Sequence, residues 1–153
     1  MTCLDYFFNL ISRKDYSAYE LLKKGQKKGF ALDEITDAIK ELQDKDYQSD
    51  TRLIAQMISS ATGKYGKSVV KRKCLEKGIN ADVFEQIWEK ENEEIESVDL
   101  TGLKYKVMRK YKLDDFQAID QKTKAKLWNY LKYRGFNPFE LLEQWQQEDK
   151  DIE

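Results

Sequence analysis

Apolar residues return every three or four positions along the chain: Leu4, Phe7, Phe8 and Ile11, then Leu53, Ile54, Met57 and Ile58, then Leu103, Val107 and Met108. That spacing places each set on one face of a helix. Polar punctuation supplies the helix starts. Ser17 with Glu20 three residues on is a capping-box pattern. Ser49 or Asp50, Asn80 and Thr123 are N-cap candidates, and Asn137-Pro138 offers asparagine at the cap with proline at the first helical position. The expected helices are Leu4 to about Lys14, Ser17 to Lys28, Leu32 to Asp44, one from residue 50, one ending near Gly78, one from Asn80, Leu100 to Tyr111, one from Thr123, and one from Pro138. One proline and seven glycines in 153 residues leave no case for strands. The fold class read from this pattern is all-α.

The pattern also repeats at long range. Lys28-Gly29-Phe30, Lys77-Gly78-Ile79 and Arg134-Gly135-Phe136 each join a base, a glycine and a large apolar residue, with the glycines 49 and 57 residues apart. Eight residues before the glycine stand Leu21, Val70 and Leu127; six after it stand Ile35, Phe84 and Leu141; ten after it stand Ile39, Trp88 and Trp145. Each glycine ends one helix and precedes another, the C′ place where a left-handed residue closes a helix and glycine carries no Cβ penalty. Gly29, Gly78 and Gly135 are therefore the expected structural turns. The division that follows is three tandem three-helix repeats, 1–47, 48–96 and 97–153, forming an elongated, curved array. Gly25, four residues before Gly29, occupies the place of Cys74 and Leu131; it costs about 0.5 to 1 kcal/mol against alanine unless a neighbouring helix approaches closely.

Composition closes several routes to chemistry. The chain has no histidine, which removes imidazole catalysis and histidine-ligated metal. Cys3 and Cys74 lack metal-ligand spacing and are expected as buried thiols. No phosphate-binding loop is present, so neither enzyme activity nor cofactor nor metal is expected. The opening segment has no basic region ahead of its short apolar run, and Asp5 interrupts it; it reads as a helix, and the protein as soluble, cytoplasmic and monomeric.

Charge is balanced overall, at a net −1, but not along the chain. Six bases face one acid from Lys64 to Lys77, and eight acids face one base from Asp82 to Asp99. Second helices read as basic and third helices as acidic. Arg13, Lys14, Lys24, Lys28, Lys71, Arg72, Lys77, Lys132 and Arg134 lie on or beside second helices and are the candidate partner-binding residues, a basic ridge for phosphate or an acidic protein surface. If the ridge is solvated, reversing Lys71, Arg72 and Lys77 together should barely change stability. Tyr19, Tyr65 and Tyr133 sit beside these bases and are candidates for stacking on nucleobases, though helix packing is the commoner role of such tyrosines. From Glu148 the acidic tail is expected to fray.

Four segments resemble the RecX family of bacterial regulatory proteins: Ile11 to Phe30 (ISRKDYSAYELLKKGQKKGF), Tyr47-Gln48-Ser49-Asp50, Gly66 to Ile79 (GKSVVKRKCLEKGI) and Lys122 to Phe136 (KTKAKLWNYLKYRGF). They occur in family order and span essentially the whole chain. Gly25, where the family favours leucine, and Ser49, where it often has an acid, are departures. The resemblance implies a small regulator that binds the RecA recombinase filament on single-stranded DNA and inhibits it, linking it to homologous recombination, DNA repair and the SOS response. Several members also touch DNA, which leaves direct single-stranded DNA binding, acting by competition, as the other function class. No catalytic residue comes with the family.

Overall fold

The computed structural model describes residues 1–94 and 100–152, and the expected boundary at residue 96 lies outside them. Among the described residues the fold is all-α, in nine helices: α1 Cys3–Ile11, α2 Ala18–Lys28, α3 Leu32–Asp44, α4 Asp50–Ala61, α5 Lys67–Glu76, α6 Ala81–Glu94, α7 Thr101–Tyr111, α8 Gln121–Tyr133 and α9 Pro138–Ile152. They form two compact units, one of residues 1–59 with 71–94, the other of residues 60–70 with 100–152.

The starts follow from caps. Thr2 and Asp5 close a capping box on α1, as Ser17 and Glu20 do on α2. The Asn80 side chain accepts from the Asp82 and Val83 amides, and that of Asn137 from the Phe139 and Glu140 amides. Two expectations are corrected. Asp120, not Thr123, caps α8: its carboxylate accepts the Thr123 N–H at 2.6 Å, so the helix opens a turn earlier. That bond holds the Asp120 carboxyl below its usual pKa. α1 stops at Ile11, short of Lys14.

In the first unit Cys3, Phe7, Leu21, Ile35, Ala38 and Leu42 form one buried cluster. Gly25 belongs to it. A Cβ there would lie 2.8 Å from Ile35 Cγ1 and 3.1 Å from the Phe7 ring, so the glycine lets α3 and α1 close on α2. That close approach offsets its poor helix propensity. In the second unit Leu103, Val107, Phe116, Leu127, Leu131, Leu141, Leu142 and Trp145 are buried together. Phe116 comes from the connection between α7 and α8, and its ring lies 5.1 Å from that of Trp145.

Where fraying is expected from Glu148, α9 continues to Ile152, and Glu148 and Asp149 have a partner. Lys104 Nζ lies 3.1 Å from a carboxylate oxygen of each, and the second Asp149 oxygen accepts the Phe116 N–H at 2.9 Å. Burial alone would lower the Lys104 pKa. The hydrogen bonds and charges of Asp149 and Glu148 outweigh it and hold the ammonium above its usual value. This cluster clamps α9 to α7 and to the loop before α8.

Candidate partner-binding surface

The three glycine turns share one backbone solution. Gly29, Gly78 and Gly135 have φ of +98°, +77° and +88°. In each, the glycine N–H donates to the carbonyl three residues back and the next N–H to the carbonyl five residues back: Phe30 to Gly25, Ile79 to Cys74 and Phe136 to Leu131, all at 3.1 Å. These are Schellman closures, which satisfy carbonyls that a helix end would leave open.

Two of the turns also receive a neighbouring helix start. In the first unit Ser17 Oγ donates to the Lys77 carbonyl at 2.6 Å, Lys77 Nζ lies 3.5 Å from Glu20, and the Tyr19 ring sits where a Gly78 Cβ would be. In the second unit the Gly66 N–H donates to the Arg134 carbonyl at 2.8 Å, and a Cβ on Gly135 would meet Val69 N at 2.7 Å and Ser68 Oγ at 2.9 Å. Ser17 and Gly66 both stand twelve residues before their own repeat's glycine, and Lys77 and Arg134 both stand one before the glycine they join. The register of the two joints is the same.

The Tyr47-Gln48-Ser49-Asp50 segment has a structural role in the first unit. Asp50 Oδ1 accepts the Ala18 N–H and the Gln48 side-chain amide, both at 2.9 Å, and buried Gln48 also donates to the Tyr16 carbonyl at 3.2 Å. The Tyr47 ring meets Phe8 edge-on at 5.6 Å. Ser49 Oγ accepts the Arg52 N–H at 3.1 Å, capping α4.

The nine candidate bases fall into two groups. Arg13 and Lys14 lie in the exposed turn after α1, with Lys14 Nζ 4.7 Å from the Tyr16 ring centre; Lys24 and Lys28 are exposed on α2, Arg72 on α5 and Lys132 on α8. The other three have partners inside the fold. Lys71 Nζ is 2.7 Å from Glu85, Lys77 pairs with Glu20, and Arg134 donates to the Lys64 carbonyl at 3.2 Å while lying 4.9 Å from the Tyr130 ring centre and 5.7 Å from that of Tyr65. Arg72 lies 3.9 Å from Glu76 on the same helix, a weak exposed pair.

This revises the expectation that the triple reversal would be neutral. Lys71→Glu and Lys77→Glu would each face a carboxylate and should each lower stability by about 1 kcal/mol. Reversals at Arg13, Lys24 and Lys132 should stay within roughly 0.5 kcal/mol. Denaturant unfolding of the single variants checks both statements.

The tyrosines divide as well. Tyr19 packs on Gly78 and Tyr65 under Arg134, so both have packing roles, whereas Tyr133 is 86% exposed. Beyond Lys132, a surface outside the candidate set lies on α7 and α8, which carry no acid and, besides the buried Lys104, seven bases. Lys110 Nζ is 5.2 Å from the Tyr130 ring centre, Tyr130 meets Tyr111 edge-on at 6.2 Å, and Arg134 lies 4.9 Å from the same Tyr130. Tyr105, 59% exposed, is on the same helix as Lys106 and Arg109. The signal was available in the sequence: two consecutive helices with no acid.

Nothing among the described side chains forms a group of three or more metal-ligating residues, and no described helix is long and apolar enough to cross a membrane. Both thiols are buried. Burial pushes Cys74 up to about 11, against the opposing charge of Lys77, and also raises Cys3, helped by Glu34. At neutral pH they are inert thiols.

These features define an all-α protein built on helix, glycine turn, helix units, with charged outer faces. A family model described as RecX, first three-helix domain, matches residues 3–50. The Regulatory protein RecX of Haemophilus influenzae Rd is 31% identical over 139 residues, covering 90% of this chain and 88% of that one. The Regulatory protein RecX of Mannheimia succiniciproducens is 33% identical over 135 residues, covering 86% and 84%. The chain belongs to the RecX family of regulatory proteins. Its fold is that of the crystal structure of RecX from Lactobacillus salivarius, with a TM-score of 0.78 at 18% identity over 95% of this chain and 93% of that one.

Proposed function

We propose that this protein binds the RecA nucleoprotein filament and inhibits the recombinase, as a binding protein without enzymatic activity of its own. The observation that carries the reading is family membership over 90% of the chain. The surface is compatible with it. Arg13, Lys14, Lys24, Lys28, Arg72 and Lys132 are exposed, and a succession of three-helix repeats, 1–47, 48–96 and 97–153, would let one chain contact several filament subunits. A cytoplasmic, monomeric protein suits this role.

The purified protein should lower the DNA-dependent ATPase of RecA at substoichiometric amounts and show no nucleotide hydrolase or nuclease activity. Inhibition appearing only at one protein per RecA subunit would replace filament binding with sequestration of monomers.

The second reading, direct binding of single-stranded DNA, is favoured by the acid-free α7 and α8. Bases with interleaved tyrosines suit a phosphate backbone and stacked nucleobases. Pull-down with RecA in the presence and absence of DNA separates the two. Retention on DNA without RecA, weakening steeply with salt, supports the second.

A further inference from the structure

The first glycine turn differs from the other two in its surroundings. Tyr19 fills the place a Gly78 Cβ would take, and Ser68 and Val69 that of a Gly135 Cβ, but nothing lies within 4 Å of the place a Gly29 Cβ would take. Its backbone is that of the covered turns, with the same Schellman hydrogen bonds. What is open at Lys28–Gly29 is the surface that receives Ser17 and Glu20 at Lys77–Gly78. The electrostatics match too. Lys24, Lys27 and Lys28 are all exposed and make no ion pair with a described residue; Lys28, whose Nζ lies 5.4 Å from the Tyr6 ring centre, occupies the position from which Lys77 reaches Glu20.

We propose that the Lys28–Gly29 turn is a docking site for a helix start on a partner protein, one carrying Ser or Thr at the N-cap and a carboxylate three residues on. The cap hydroxyl donates to the Lys28 carbonyl, the carboxylate pairs with Lys28 Nζ, and a flat side chain between them lies on Gly29, as Ser17, Glu20 and Tyr19 do at the covered turn. A second copy of this chain is a poor occupant. Its remaining second helix, α8, has Lys126 at the position of Glu20, which would face Lys28, and Asp120 starts that helix a turn early.

The test uses the full chain, with a synthetic peptide of residues 15–28 as probe, Gly25→Ala being introduced to favour helix. In amide NMR spectra the peptide should shift residues 28–32 saturably. Lys28→Glu in the protein, or Ser17→Ala with Glu20→Lys in the peptide, should weaken binding at least tenfold. Lys132→Glu, as control, should not. Unchanged spectra of the Lys28→Glu protein elsewhere will show that it is folded. Absence of saturable shifts at residues 28–32 up to ~10 mM peptide, or equal binding of the altered peptide, overturns the proposal. Concentration-dependent self-association of the wild type in sedimentation, lost in Lys28→Glu, would assign the turn to a second copy and overturn it as well.

Discussion

Replacing Lys104 by alanine should lower the stability of the protein by about 3 kcal/mol, because it strands carboxylates that the fold holds against one cation. The Lys104 side chain is 11% exposed and that of Asp149 14%, so water can take over little of what the ammonium does. Glu148 is 46% exposed, and Glu148→Gln should cost no more than about 1 kcal/mol. In thermal unfolding the alanine variant should melt roughly 10 °C lower. Lys104→Met combined with Asp149→Asn should recover much of the loss, since the asparagine oxygen still accepts the Phe116 N–H and no buried charge remains. A cycle built from these variants would measure the coupling directly. Additive losses would mean that the cluster contributes through packing alone.

The same cluster has a pH signature of definite sign. The folded-state pKa of Lys104 is raised above the ordinary lysine value of 10.5. Its contribution is therefore fully present below that value and is lost as pH rises through the folded pKa. The stability difference between wild type and Lys104→Met should be flat through the neutral range and shrink in strong alkali.

Replacing Gly78 by valine is expected to be nearly as damaging, about 3 kcal/mol, and here two effects add. A β-branched residue is strained at a φ of +77°, by about 1 to 2 kcal/mol. The new side chain would also enter the space of the Tyr19 ring, an overpacking cost of about 1 to 3 kcal/mol. Gly29→Val carries the strain without the clash and should cost about half as much. Asparagine, which tolerates the left-handed region, sharpens the contrast: nearly silent at 29 and still disruptive at 78. Equal losses at the two sites, measured by denaturant unfolding, would mean that Tyr19 moves aside at no cost.

Local features were legible in the sequence because their causes are local. Ser17 with Glu20, Asn80, and Asn137 with Pro138 mark helix starts through contacts spanning two or three residues, and the glycine turns are set by one backbone preference. Cap choice failed at α8, where Asp120 and Thr123 each offered an oxygen and only the fold decided between them. Partners distant in sequence were not legible. No local signal marks Lys104 as paired, although Leu100, Lys104, Val107 and Tyr111 run at helical spacing and place it on the inward face. Its carboxylates lie 44 and 45 residues away. The candidate ridge suffered the same blindness: nothing near Lys71 or Lys77 in sequence announces Glu85 or Glu20, so positive charge alone overstated what is free to meet a partner.

The joint at Lys77 also imposes an order of assembly. Ser17 and the carbonyl it meets are 60 residues apart, whereas the cluster from Cys3 to Leu42 draws on one continuous stretch. On a ribosome that cluster can close while the chain beyond it is still being made, but Tyr19 stays uncovered until Gly78 emerges. Closing so long a loop is slow beside forming a helix turn. For several seconds at ordinary elongation rates of roughly 5 to 20 residues per second, the nascent chain presents the start of α2 to whatever is nearby.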